Sequence, residues 1–175
     1  MTPRRRVERL SLKPSSWLVY GGAFYSANFF LGPYGYSVRD TSGVYYFVFC
    51  WLMLFAATAF AEMNSSLPGE IAGPHLWPHG FDIATEWYSP KMAPFGESEA
   101  SAQIAVGFYP SNQSYFYANP WPFEEDWASH PLPPGASWHR DGWQGAELPP
   151  AGLDQANIVA FGLSVHSIAG RALSS

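Results

Sequence analysis

Between Val44 and Ala61 the chain reads VYYFVFCWLMLFAATAFA, eighteen residues without a charged side chain. Nothing else in the sequence restricts the fold as much, because a helix that is apolar all round belongs either inside a protein core or inside a bilayer. The run reaches the length of a membrane span, and Arg4, Arg5, Arg6, Arg9 and Lys13 on its N-terminal side would hold that end in the cytoplasm. Ala59-Phe60-Ala61 looks like a small-residue cleavage site, yet the run begins more than forty residues into the chain, too late for an ordinary secretory signal. Two expectations stand for 44–61. The first, taken as the leading one, is a buried helix over 44–63 in a soluble, cytoplasmic domain. The alternative is the single span of a membrane protein whose acidic domain lies outside the cytoplasm.

After the run, Asn64-Ser65-Ser66-Leu67-Pro68-Gly69 opposes helix continuation, so a new kind of structure begins there. Phe81, Ile83, Thr85 and Trp87 alternate with Asp82, Ala84, Glu86 and Tyr88, the period of a strand with one more apolar face. QIAVGFYP from Gln103, SYFYANPWPF from Ser114 and WHRDGWQGAEL from Trp138 read as three more strands, the last broken by glycine. Pro120 and Pro122 mark an edge or a strand end in the third. The loops between candidates are too short for helical crossovers, which makes an antiparallel meander over 71–148 the economical topology. The chain closes on a helix over 154–173, capped by Asp154, with Ile158, Phe161, Val165, Ile168 and Ala172 as its buried stripe. The fold class is therefore α+β: an antiparallel β meander packed with an apolar helix before it and a C-terminal helix, all in one domain over 44–175. Residues 1–43, rich in glycine and aromatics and without a clear period, form a poorly defined N-terminal segment.

Of the 175 residues, 47% are hydrophobic, which excludes a disordered chain, and 18% are aromatic. So many rings either fill a core short of aliphatic side chains or line a ligand groove. The formal net charge is −5, and beyond residue 40 only Lys91, Arg140 and Arg171 are fixed cations. A nucleic-acid partner for the main domain is not expected, since phosphate recognition requires a clustered basic surface. The single cysteine, Cys50, permits no internal disulfide and no cysteine-based zinc site, and its apolar surroundings predict a buried, inert thiol.

Four ordered segments carry a resemblance: LWPHGFDIATEW, IAVGFYPSNQ, SYFYANPWPF and PLPPGASWHRDGWQGAELP. In order and rough spacing they resemble the C-terminal half of an uncharacterised bacterial family, domain-of-unknown-function family 5996, over about residues 60 to 150. The resemblance implies a single soluble domain and brings no reaction, cofactor or catalytic residue with it. Members of that family carry an N-terminal β-rich half that residues 1–43 do not recognisably supply, so the chain reads as truncated or rearranged at its front. An apolar face left uncovered in this way would favour self-association; no motif specifies an oligomeric state.

HLWPHGFDIATEW, from His75, concentrates the groups capable of chemistry. His75, His79, Asp82 and Glu86 are ligand-type residues, but Pro78 and Gly80 break any helix that would gather them. In a strand, Asp82 and Glu86 share a face about 13 Å apart, too far for one ion. His75, His79 and Asp82 remain as metal candidates only with a loop bend and a distant partner. A second expectation pairs Asp82 with His139 across neighbouring strands as general acid and base, in a hydrolase-like site with or without a metal, with Arg140 or Gln144 holding the ligand. The alternative role for Asp82 is an ion pair with Arg140. The third and leading expectation is an aromatic-lined pocket for a planar or sugar-like small molecule, built from Trp77, His79, Tyr117, Trp121, Trp138, Arg140 and Trp143, with Trp87 and Tyr115 as further rings. No serine elbow and no phosphate-binding glycine loop is present in the sequence.

Overall fold

The computed structural model describes residues 42–77, 81–111, 113–150 and 154–175, with side chains from residue 50 onward. The predicted N-terminal segment lies outside the described residues apart from its last two. Helix α1 (Ser42–Ser65) is followed by β1 (Glu70–Trp77), β2 (Asp82–Phe95), β3 (Ser98–Tyr109) and β4 (Tyr115–Trp121). A short 3-10 turn (Glu125–Ser129), β5 (Ser137–His139), β6 (Gly145–Leu148) and helix α2 (Gln155–Ser174) complete the chain. The strands form one antiparallel sheet in the order β1-β2-β3-β4-β6-β5. The α+β class and the helix, meander, helix succession are as the sequence predicts.

Two parts of the sheet depart from expectation. WHRDGWQGAEL is two strands rather than one, and β6, not β5, lies against β4. The apolar pair Ala146 and Leu148 of β6 can bury against Ala118 and Phe116, whereas β5 offers only Trp138 to the core and serves as the edge. The stretch from His75 to Trp77 is not a loop but the end of β1, the opposite edge strand. An edge tolerates the register shift between Ala72 and His75, where Gly73 and Pro74 interrupt the ladder.

Alternation along the strands decides where the core sits. Ile83 and Trp87 of β2, Ala102, Ile104, Val106 and Phe108 of β3, and Phe116 and Ala118 of β4 share the face on which both helices lie. Helix α1 contributes Met53, Ala56, Ala57, Ala59, Phe60 and Met63, each no more than 4% exposed. Among the described residues no helix is long and apolar enough to cross a membrane. The second half of the apolar run packs as the buried-helix expectation has it, filling the layer between the sheet and α2. The helix ends as its sequence dictates. The amides of Ser66 and Leu67 bond back to Met63 and Asn64, and Asn64 donates to Thr85, whose hydroxyl donates in turn to the Ala72 carbonyl. Cys50 is half-buried, and burial raises its thiol pKa.

Asp154 caps α2 as expected, accepting from the Asn157 amide at 2.9 Å while the Asn157 side chain accepts from the Asp154 amide. The buried stripe starts on Ile158, Phe161 and Val165 but continues through Ala169 and Leu173 instead of Ile168 and Ala172. The cause is α1 on that flank. A Cβ at Gly162 would stand 2.2 Å from the Met63 sulfur, so the buried line runs along the small residues facing α1. Ser89, in the β2 bulge, donates to the Leu173 carbonyl and ties the end of α2 to the sheet.

His166 of α2 sets its ring edge-on to Trp87, 4.7 Å between centroids, with Nε2 buried and without a hydrogen-bond partner. Burial lowers its pKa from the ordinary 6.5. The folded state therefore favours the neutral ring, and this contribution is whole above pH 6.5 and is lost as pH falls from there through the folded-state value. Thermal melts recorded from about pH 7 down to about pH 5 should show Tm falling, with a shallower fall in His166→Leu. Identical slopes in the two proteins would disprove the assignment.

Candidate functional site

The face of the sheet opposite the helices carries Asp82, Ala84 and Glu86 of β2, Ala105 and Gly107 of β3, Tyr115, Tyr117 and Asn119 of β4, and Glu147 of β6. Although no helix among the described residues lies on this side, Asp82 is 8% and Glu86 5% exposed. Side chains of the sheet cover them. The Trp77 indole donates to Glu86 at 3.1 Å, and His75 Nε2 stands 3.8 Å from the other Glu86 oxygen. Tyr117 reaches over β3 and donates its hydroxyl to Asp82 Oδ2 at 2.5 Å.

A missing side chain makes that reach possible. Gly107 pairs with Tyr117 in the ladder, and a Cβ there would stand 2.3 Å from Tyr117 Cζ and 2.4 Å from its oxygen. The ring lies flat across the glycine to reach β2. Gly145 does the same for Trp143, whose Cζ3 would meet a Cβ at 2.7 Å. Both rings are thus laid onto the sheet by glycines beneath them.

The electrostatics follow from this burial. Desolvation, then the bond to Asp82, then the charges of Asp82 and Glu86 hold the Tyr117 phenol far above its ordinary range, so it stays a proton donor. The Tyr115 phenol is raised as well, by burial first and then by Tyr109, Glu147 and Asp82.

Beside this pair lies a cavity of about 350 Å³ lined by Gln113, Ser114, Tyr115, His139, Trp143, Glu147 and Pro149. Trp143 organises it. Its ring is nearly parallel to Tyr115, 6.1 Å away at 10°, meets Tyr117 edge-on at 6.4 Å, and stacks with His139 at 4.3 Å. His139 Nδ1 is 3.1 Å from the Trp143 carbonyl oxygen, an acceptor only, so Nδ1 carries the proton and Nε2 is left for a ligand.

The predicted site residues divide into separate places. Tyr117, Trp143 and His139 come together, and Trp77 and His75 lie at the far edge of the same face, around Glu86. His79 lies outside the described residues. The expected partnership of Asp82 with His139 is corrected: β3, β4 and β6 intervene between their strands, Asp82 bonds Tyr117, and the imidazole stacks on Trp143. Arg140 does not meet Asp82 either. It pairs with Glu125 of the 3-10 turn, which also accepts from Gln144 at 3.2 Å. Trp121 packs edge-on against Phe95 at the other end of the sheet. Trp138 belongs to the core side, edge-on to Phe123, its indole donating to the His130 carbonyl. Among the described residues no three histidine, cysteine or acidic side chains cluster in a way that could hold a metal ion.

Tyr115 lines the cavity as expected, whereas Glu147 has no signal of its own in the sequence. The alternation in SYFYAN places Tyr115 on the face of Tyr117, but only the pairing of β4 with β6 brings Glu147 beside them. No family model, no curated protein and no solved structure matches this chain.

Proposed function

We propose that the chain is a small-molecule-binding domain whose ligand occupies the cavity bounded by Tyr115, His139, Trp143 and Glu147. One observation carries this reading: near-parallel tyrosine and tryptophan rings share a cavity of about 350 Å³ with a carboxylate, an amide, a hydroxyl and an imidazole nitrogen. Ligand sites combine apolar, rigid walls with a few converging polar groups in this way, and a planar or sugar-like ligand suits ring faces with hydrogen-bonding groups at their rim. On this reading Asp82 and Tyr117 hold the floor, since their bond fixes the edge of the ring against which Trp143 rests. The four ordered motifs make kinship with the uncharacterised family 5996 part of the same proposal, and three of them supply the cavity walls.

A ligand-observed NMR screen of planar heterocycles and monosaccharides tests it. Hits should lose roughly 10-fold or more in affinity in Trp143→Ala, with the far-ultraviolet circular dichroism unchanged. A screen in which no hit depends on Trp143 would remove the reading.

A further inference from the structure

The charge of the ligand can be argued from the cavity walls. Among the described residues no lysine or arginine lines the cavity, and its one acidic side chain is the half-buried Glu147. A second carboxylate, Asp82, lies behind Tyr117 at 2.5 Å from its hydroxyl, buried at the level of the sheet. Arg140, next in sequence to His139 of the cavity wall, pairs with Glu125. Two rings wall this negative ground, Tyr115 and Trp143 within 10° of parallel, and Tyr117 supports Trp143 from below at 75°. Aromatic faces carry negative quadrupolar potential, and a cation within about 6 Å of several centroids is attracted by each of them. The Tyr115 phenol is raised by burial first and then by Tyr109, and Glu147 and Asp82 push it in the same direction.

From this geometry we infer that the cavity selects an alkylated ammonium group, a quaternary or N-methylated amine, presented to Tyr115 and Trp143 with Glu147 as counter-charge. The inference rests on the ligand-binding reading above and narrows it. A bare primary ammonium keeps its strong hydration and gains less from ring faces. An alkylated one sheds water easily and gains from ring faces, which are what the cavity offers. The His139 Nδ1–H is spent on the Trp143 carbonyl and is not turned to the ligand.

The test compares choline with dimethylbutanol, its uncharged carbon isostere, against the full chain. Binding is read from tryptophan fluorescence and from the indole N–H resonances. Choline should bind at least about 5-fold more tightly than the isostere. Glu147→Gln should cut that preference several-fold, and Trp143→Ala should abolish choline binding. Trp143→Phe, which keeps a ring above Gly145, should weaken choline without unfolding and serves if the alanine variant does not fold. If the isostere binds equally well and still requires Trp143, the ammonium preference is wrong and the ligand-binding reading stands. If Glu147→Gln leaves the preference intact, the counter-charge assignment is wrong and the inference falls with it. If neither probe nor any hit of the broader screen depends on Trp143, both readings fail together.

Discussion

Gly107→Ala should destabilise the domain by about 2–5 kcal/mol, far more than a single methyl group costs on an ordinary strand. The added Cβ would stand 2.3 Å from Tyr117 Cζ, inside any van der Waals contact, so the ring has to lift off the sheet. Lifting it breaks the bond from the Tyr117 hydroxyl to Asp82 and leaves a buried carboxylate without its donor. Overpacking accounts for about 1–3 kcal/mol of the loss and the orphaned carboxylate for a similar amount. Tyr117→Phe separates the two, since it keeps the ring and removes only the donor; it should cost about 1–3 kcal/mol. The decisive comparison is the double variant. In a Tyr117→Ala background the obstacle is gone, and Gly107→Ala should become nearly neutral, a strong non-additivity between residues in contact. Equal costs of Gly107→Ala in both backgrounds, measured by urea denaturation, would show that the ring does not lie where it is placed here. The same variant should also impair the cavity, because Trp143 rests against the edge of Tyr117.

This glycine shows where sequence reasoning stops. In QIAVGFYP it reads as a weak point in a strand, and in GWQGAEL as a break. Neither reading is available in another form until register is known, because a glycine makes room only for the residue opposite it on the next strand. Gly107 faces Tyr117 and Gly145 lies beneath Trp143, and both relations depend on the pairings of β4. Local signals were readable wherever the physics is local. The Asp154 cap, the stop after Asn64, the alternation through β2 and the helix over 42–65 all depend on neighbours within a few residues. Strand order was not readable in the same way. The expectation that Asp82 faces His139 assumed adjacent strands, and it failed because β6 enters beside β4 and sends β5 to the edge. Trp138 failed for a related reason: its pairing with Ala146 puts it on the helix side, while His139, the next residue, turns to the open face. A list of aromatics in sequence therefore mixed core and site, and one register assignment separates them.

Phe60→Ala should be the most damaging single substitution in the apolar helix, costing about 3–5 kcal/mol. Phe60 is fully buried and meets Phe116 edge-on at 6.3 Å, and Phe116 in turn packs on Phe108 at 4.9 Å, so its ring joins α1 to the centre of β3 and β4. Truncation would open a void that neighbours held by two sheet strands and α2 cannot close, which is the condition for the upper part of that range. Trp51 lies in the same charge-free run but is 58% exposed, and Trp51→Ala should shift stability by less than about 1 kcal/mol. The contrast tests what the run is for. If 44–61 serves the domain as a core element, chemical denaturation of the two variants should differ by several kcal/mol, in the order burial dictates. If the helix is withdrawn from the sheet in solution, Phe60 and Trp51 become equivalent residues of one apolar surface, and the two substitutions should have similar, small effects. Burial by α1 also shields the helix-side backs of β3 and β4, so a stability loss confined to Phe60→Ala would place this helix among the supports of the strands that carry Tyr115 and Tyr117.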